Sequence, residues 1–97
     1  MNKLIFIKEA KNEIQKIYDY YESQQKDLGE RFKSHLDEYF ITLTNHPESF
    51  AIKKHPFREI PLKKFPYIII YEFIKEQNLI IVYAVFNTRQ NPSKKTY

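Results

Sequence analysis

Tyr67-Ile68-Ile69-Ile70-Tyr71-Glu72-Phe73-Ile74 and Leu79-Ile80-Ile81-Val82-Tyr83-Ala84-Val85-Phe86 are two runs of β-branched and aromatic residues, each of strand length. The polar break Lys75-Glu76-Gln77-Asn78 between them is of hairpin length, so the runs pair antiparallel. Their cores, Ile68-Ile69-Ile70 and Ile80-Ile81-Val82, leave little room for alternation with polar residues, which places both strands in mid-sheet. Upstream, Phe57 to Leu62 forms a third strand, set off by Lys63-Lys64-Phe65-Pro66. The three make an antiparallel meander.

Further upstream the period changes. Apolar residues at Leu28, Phe32, Leu36, Tyr39, Phe40 and Leu43 stripe one side of a helix over 28–45. Asp27 is placed to cap its start and Asn45-His46-Pro47 to stop it. Ile14, Ile17, Tyr18 and Tyr21 stripe an earlier helix over 8–25, and the short link from Lys26 to Gly29 suits an antiparallel helical hairpin. Lys3 to Ile7 is a further short strand. One strand, two helices and a meander spell an α+β fold in two layers, with the hairpin packed on a twisted antiparallel sheet. The opposite sheet face is expected to be a concave surface.

Ninety-seven residues make one domain, 1–97, and 42% hydrophobic content with 16% aromatics excludes disorder. The absence of cysteine removes disulfides, thiolate metal sites and a thiol nucleophile, and fits a reducing compartment. One glycine cannot build a dinucleotide-binding or phosphate-cradling loop. Leu4 to Ile7 is far shorter than a signal-peptide core and no run reaches membrane-spanning length, so a cytoplasmic protein without membrane contact is expected.

Charge divides the chain. Residues 1–50 hold seven Lys and Arg against nine Asp and Glu, whereas residues 51–97 hold nine against three. A basic half of this kind suits a surface that meets phosphate or an acidic protein segment, or a merely solvated face.

Few other chemistries have support. Glu72 sits inside an apolar strand, where a general base is conceivable and a sheet-edge or Lys-paired carboxylate is the commoner arrangement. His35, His46 and His55 lack metal-ligand spacing, and no serine stands in a nucleophile elbow. No metal and no cofactor are expected. What remains is a set of cations and polar or aromatic residues: Arg58, Lys63, Lys64, Tyr67, Asn87, Arg89, Lys94, Lys95 and Tyr97. Such a set can grip a phosphodiester, with Arg58, Arg89 and Tyr97 as catalytic candidates in a metal-free nuclease, or bind an acidic protein segment. Exposed strand-end charges that blunt aggregation are the plain alternative.

Several segments, taken in order, resemble the RelE/ParE superfamily of type II toxin–antitoxin toxins. They are Ile17-Tyr18-Asp19-Tyr20-Tyr21, Asp27-Leu28-Gly29-Glu30-Arg31-Phe32, His46-Pro47, the stretch from Lys63 to Tyr71, and Val85-Phe86-Asn87-Thr88-Arg89-Gln90-Asn91-Pro92. The resemblance spans nearly the whole chain. It implies two helices on a twisted antiparallel sheet, and a bacterial toxin neutralised by a cognate acidic antitoxin. RelE-like members cut mRNA on the ribosome with basic residues of the central strands and a tail tyrosine. ParE-like members bind and poison DNA gyrase.

This sequence departs from the RelE-like pattern: Tyr67 to Tyr71 carries no cation, Asn87 stands where many relatives have histidine, and Gln90-Asn91-Pro92 replaces Arg-Asp-Pro. The resemblance therefore points to the ParE-like branch. A RelE-like ribonuclease acting on ribosome and mRNA, or a toxin reduced to binding its antitoxin, are the alternatives. Apolar strand surface left unpartnered is also compatible with a homodimer.

Overall fold

The structure, a computed structural model, describes residues 2–88. The chain runs β1 (Lys3–Phe6), α1 (Lys8–Gln24), α2 (Leu28–Asn45), β2 (Ile52–Lys54), β3 (Phe57–Pro61), β4 (Tyr67–Ile74) and β5 (Leu79–Asn87), with one 3-10 turn at Lys75–Gln77. Both helices and the three-strand meander stand where the periodicity predicts them. The strands form one five-stranded sheet in the order β1-β5-β4-β3-β2, so β5 and β4 hold the middle, as their unbroken apolar runs require.

Two features of the sheet go beyond the sequence reading. β1 lies parallel to β5, with Lys3 opposite Leu79 and Phe6 opposite Val82, which makes the sheet mixed. β2 is an additional edge strand, antiparallel to β3, and all three of its residues are exposed. A short strand that buries nothing carries no hydrophobic alternation to reveal it.

Alternation along β4 sorts the two faces. Tyr67, Ile69 and Tyr71 join the core with Ile60, Ile80, Val82 and Val85, beneath Ile17 of α1 and Phe32, Leu36 and Leu43 of α2. Ile68, Ile70 and Glu72 point the other way, opposite Phe86, Ala84 and Ile81 of β5. A register shift between Ile70 and Tyr71 sets Tyr83 out of the pairing. On this face the Tyr83 hydroxyl donates to Glu72 Oε1 at 2.8 Å, and its ring meets Phe57 edge-on. Glu72 is therefore a central-strand carboxylate held by a phenol, not a sheet-edge one.

An aromatic knot fastens the hairpin to the sheet. Tyr21 of α1, Phe32 of α2, Phe65 of the β3–β4 loop and Tyr67 of β4 meet with ring centroids 5.1–6.3 Å apart, mostly edge to face. This geometry sets the positive ring edge against the negative face and adds about 0.5–1.5 kcal/mol per pair beyond burial.

The start of α2 departs from expectation. Asp27 occupies the cap position in a left-handed conformation, φ 69°, and its side chain makes no cap hydrogen bond. The capping carboxylate comes from α1 instead: Glu22 accepts from the Asp27 N–H at 3.1 Å and the Gly29 N–H at 2.9 Å. The helices approach closely at Gly29, since a Cβ there would stand 2.8 Å from the Tyr18 carbonyl oxygen. Backbone cannot yield as a flexible side chain would. Gly29→Ala is expected to cost about 1–3 kcal/mol through overpacking, read as a lower urea midpoint with unchanged far-UV circular dichroism; an unchanged midpoint would show that the hairpin absorbs the methyl group.

Candidate functional site

The β3–β4 loop places two of the sequence-derived cations. Lys63 and Lys64 are exposed, and their backbone N–H groups are tied down to α2. Lys63 donates to the Tyr39 hydroxyl at 3.3 Å and Lys64 to His35 Nε2 at 3.4 Å. The loop is closed by Leu62 N–H to the Tyr67 carbonyl, and Thr88 N–H reaches the Pro66 carbonyl at 2.9 Å, joining the end of β5 to it. Tyr67 and Asn87 are register partners at this same end of the sheet. Lys63, Lys64, Tyr67 and Asn87 thus gather at one end of the molecule.

Arg58 does not join them. It pairs with Tyr71, four positions further along β4 than Tyr67, or roughly 13 Å of extended chain. Its guanidinium donates to the carbonyls of Phe50 at 2.6 Å and Glu48 at 3.3 Å. Beside it the buried Tyr71 hydroxyl donates to the Pro47 carbonyl at 2.7 Å, and burial pushes that phenol up to about 12. Arg58 and Tyr71 together hold the segment that carries the chain from α2 to β2. Arg89, Lys94, Lys95 and Tyr97 lie outside the described residues.

Tyr67 is mostly core. Its residue is 7% exposed, and burial pushes its phenol up to about 12, with a bond to Tyr21 adding to the rise and one to Asn87 opposing it. A phenol held neutral this firmly is a poor proton donor or acceptor at neutral pH. Its rim lines a cavity of about 420 Å³ with Tyr20, Tyr21, Pro66 and Asn87, and Tyr20 is 57% exposed. A second cavity of about 200 Å³, between α1 and β5, shares Tyr67 and Asn87 and adds Glu13, Lys16 and Ile17. The result is an aromatic groove along one flank of α1, with amide and charged groups at its rim. Pockets that receive apolar and aromatic anchors at protein interfaces have this composition.

Sequence reasoning missed Glu13. β1 ends opposite Val82, which leaves the outer edge of β5 beyond it without a strand, and Glu13 Oε1 accepts the Val85 N–H there at 3.1 Å. An acidic residue on a helix carries no local signal that it will stand in for a strand carbonyl. Among the described residues no group of three His, Cys, Asp or Glu side chains could hold a metal ion, and no helix is long and apolar enough to cross a membrane.

Residues 4–92 match the family model described as the ParE toxin of type II toxin–antitoxin systems. No curated protein matches the chain. Among solved structures, the isolated E. coli RelE toxin is similar at 19% identity and TM-score 0.71, covering 96% of this chain and 90% of that one. The toxin of the intact E. coli RelBE toxin–antitoxin complex is 20% identical, with TM-score 0.72 and coverage of 93% and 100%. A chain of the chromosomal ParDE system from P. aeruginosa is 14% identical, with TM-score 0.64 and coverage of 92% and 98%.

Two substitutions test the geometry. Removing Arg58 leaves two carbonyls without their donor, so Arg58→Ala is expected to lower stability by about 1–3 kcal/mol; no change in the urea midpoint would free Arg58 for another role. Glu13 is raised above 4.5 chiefly by burial, so the folded state binds its proton more tightly than the unfolded chain does. Its stabilising contribution is full below pH 4.5 and is lost as pH rises through the raised value. Glu13→Gln keeps the acceptor and should remove this pH dependence, whereas Glu13→Ala orphans the Val85 N–H at about 1–3 kcal/mol. A wild-type pH–stability profile identical to that of Glu13→Gln would contradict the assignment.

Proposed function

The chain belongs to the ParE toxin family of type II toxin–antitoxin systems, and we propose that it acts in the cytoplasm by docking onto DNA gyrase and poisoning it. The observation that carries this reading is the use made of the inward positions of the central strands. β4 carries no cation, its two tyrosines are core residues with phenols pushed up to about 12, and Arg58 is engaged with the Phe50 and Glu48 carbonyls. A metal-independent ribonuclease needs cations and a titratable acid and base converging on one phosphodiester. The described residues instead offer an exposed pair of lysines beside an aromatic groove, which suits a protein partner.

The cognate antitoxin fits the same end of the molecule. An acidic amphipathic segment would set carboxylates on Lys63 and Lys64 and an apolar anchor in the groove at Tyr20, Tyr21, Tyr67 and Asn87. The intact RelBE structure shows that a toxin of this fold is held by its antitoxin.

The test is induction of the protein in cells, with mapping of mRNA 5′ ends and of gyrase-linked DNA breaks in parallel. The reading predicts DNA breaks without codon-phased mRNA cuts. Lys63→Glu combined with Lys64→Glu should weaken docking by roughly tenfold at low salt, because charges at an interface rim act mainly through steering and complementarity. Codon-phased cuts in translated mRNA without DNA breaks would overturn the reading and install the ribonuclease; neither signal would leave a chain that only binds its antitoxin.

A further inference from the structure

His35 is the one buried polar or charged side chain among the described residues, at 8% exposure. It lies on α2 beneath the basic loop, with Tyr39 edge-on to its ring at 5.1 Å and Phe65 tilted against it at 5.7 Å. Nε2 accepts the Lys64 N–H, a bond that an imidazole can make only with its proton on Nδ1. Tyr39, in contact with that ring, accepts the neighbouring N–H of Lys63. Both backbone hydrogen bonds from Lys63 and Lys64 to α2 therefore end on one imidazole or the ring packed on it, while Phe65 is held separately against Phe32.

We infer that His35 is a pH-sensitive latch for the Lys63–Lys64 loop. Histidine is the side chain whose charge ordinarily changes between pH 5 and 8, and a protonated imidazole has two donors and no acceptor. Protonation would set Nε2–H against the Lys64 N–H, donor against donor. The contact then breaks, the ring shifts against Tyr39, and the Lys63–Lys64 backbone is released from α2 while Phe65 stays packed on Phe32. Charges of both signs face this ring. Asp27, Glu30, Arg31 and Glu38 line the flanking cavities from α2 and its lead-in, and Lys63 and Lys64 line them from the loop. The consequence for docking rests on the function proposed above, because it needs the loop to be part of the docking surface. The latch itself does not, and its test reads the loop directly.

The experiment is a proton–nitrogen NMR titration of the whole protein from pH 7.5 to 5.0. The Lys63 and Lys64 amide signals should move together with the His35 ring protons, at one midpoint, while amides in the middle of β4 stay in place. In His35→Gln, whose side-chain oxygen can still accept, that movement should be lost. A His35 ring that titrates without the two amides overturns the latch, as does a ring that keeps one state throughout. The wild-type titration decides the matter even if the variant does not fold. Failure of gyrase poisoning with the coupled titration intact would refute only the docking role.

Discussion

Edge-to-face packing of Tyr21, Phe32, Phe65 and Tyr67 is the constraint on which the rest of the molecule hangs. Each ring comes from a different element, so the four together fix α1 against α2, both against β4, and the β3–β4 loop against the helices. With only one sheet face covered by helices, a chain of 97 residues has few other ways to lock its layers. The close approach at Gly29 and the Glu22 carboxylate at the start of α2 then set the angle of the hairpin. Lys63 and Lys64 owe their position to this arrangement, because the half-buried Phe65 next to them packs on the helices while they are exposed.

The same packing determines what the protein is free to do. Positions on the inward face of β4 are filled by Tyr67, Ile69 and Tyr71, and the one arginine on that side of β3 holds backbone carbonyls of the α2–β2 segment. Side chains committed to the fold cannot at the same time approach and leave a reacting phosphate. Among the described residues, the lysine pair and the groove flanking α1 are exposed features with recognition character. They lie at one end of the sheet, joined through Thr88 and Pro66.

Much of this was legible before the structure. Helical periodicity from Ile14 to Leu43 and the unbroken apolar runs of β4 and β5 identify elements by local pattern, and the α+β architecture follows from their order. Asp27 shows where local pattern fails. It is the right residue type in the right place for a cap, yet a carboxylate seven residues before Gly29 does the work, because the helical turn brings Glu22 to the orphan N–H groups. The engagement of Arg58 is hidden from local pattern for a related reason: its partners are backbone carbonyls, which have no sequence signature. β2, the parallel seat of β1 and the Glu13 contact with Val85 are likewise long-range or fully exposed features. The gathering of Lys63, Lys64, Tyr67 and Asn87 was half legible, since the loop was evident but the strand register was not.

The proposed function has the central strands committed to packing and the protein acting by docking. It is tested most directly with purified components: the protein, DNA gyrase, ATP and supercoiled plasmid in one reaction, and the protein with programmed ribosomes in another. Linear DNA, trapped on gyrase and rising with the amount of protein, is expected, while the ribosome-bound mRNA stays whole. Intact plasmid together with mRNA cut on the ribosome would contradict it.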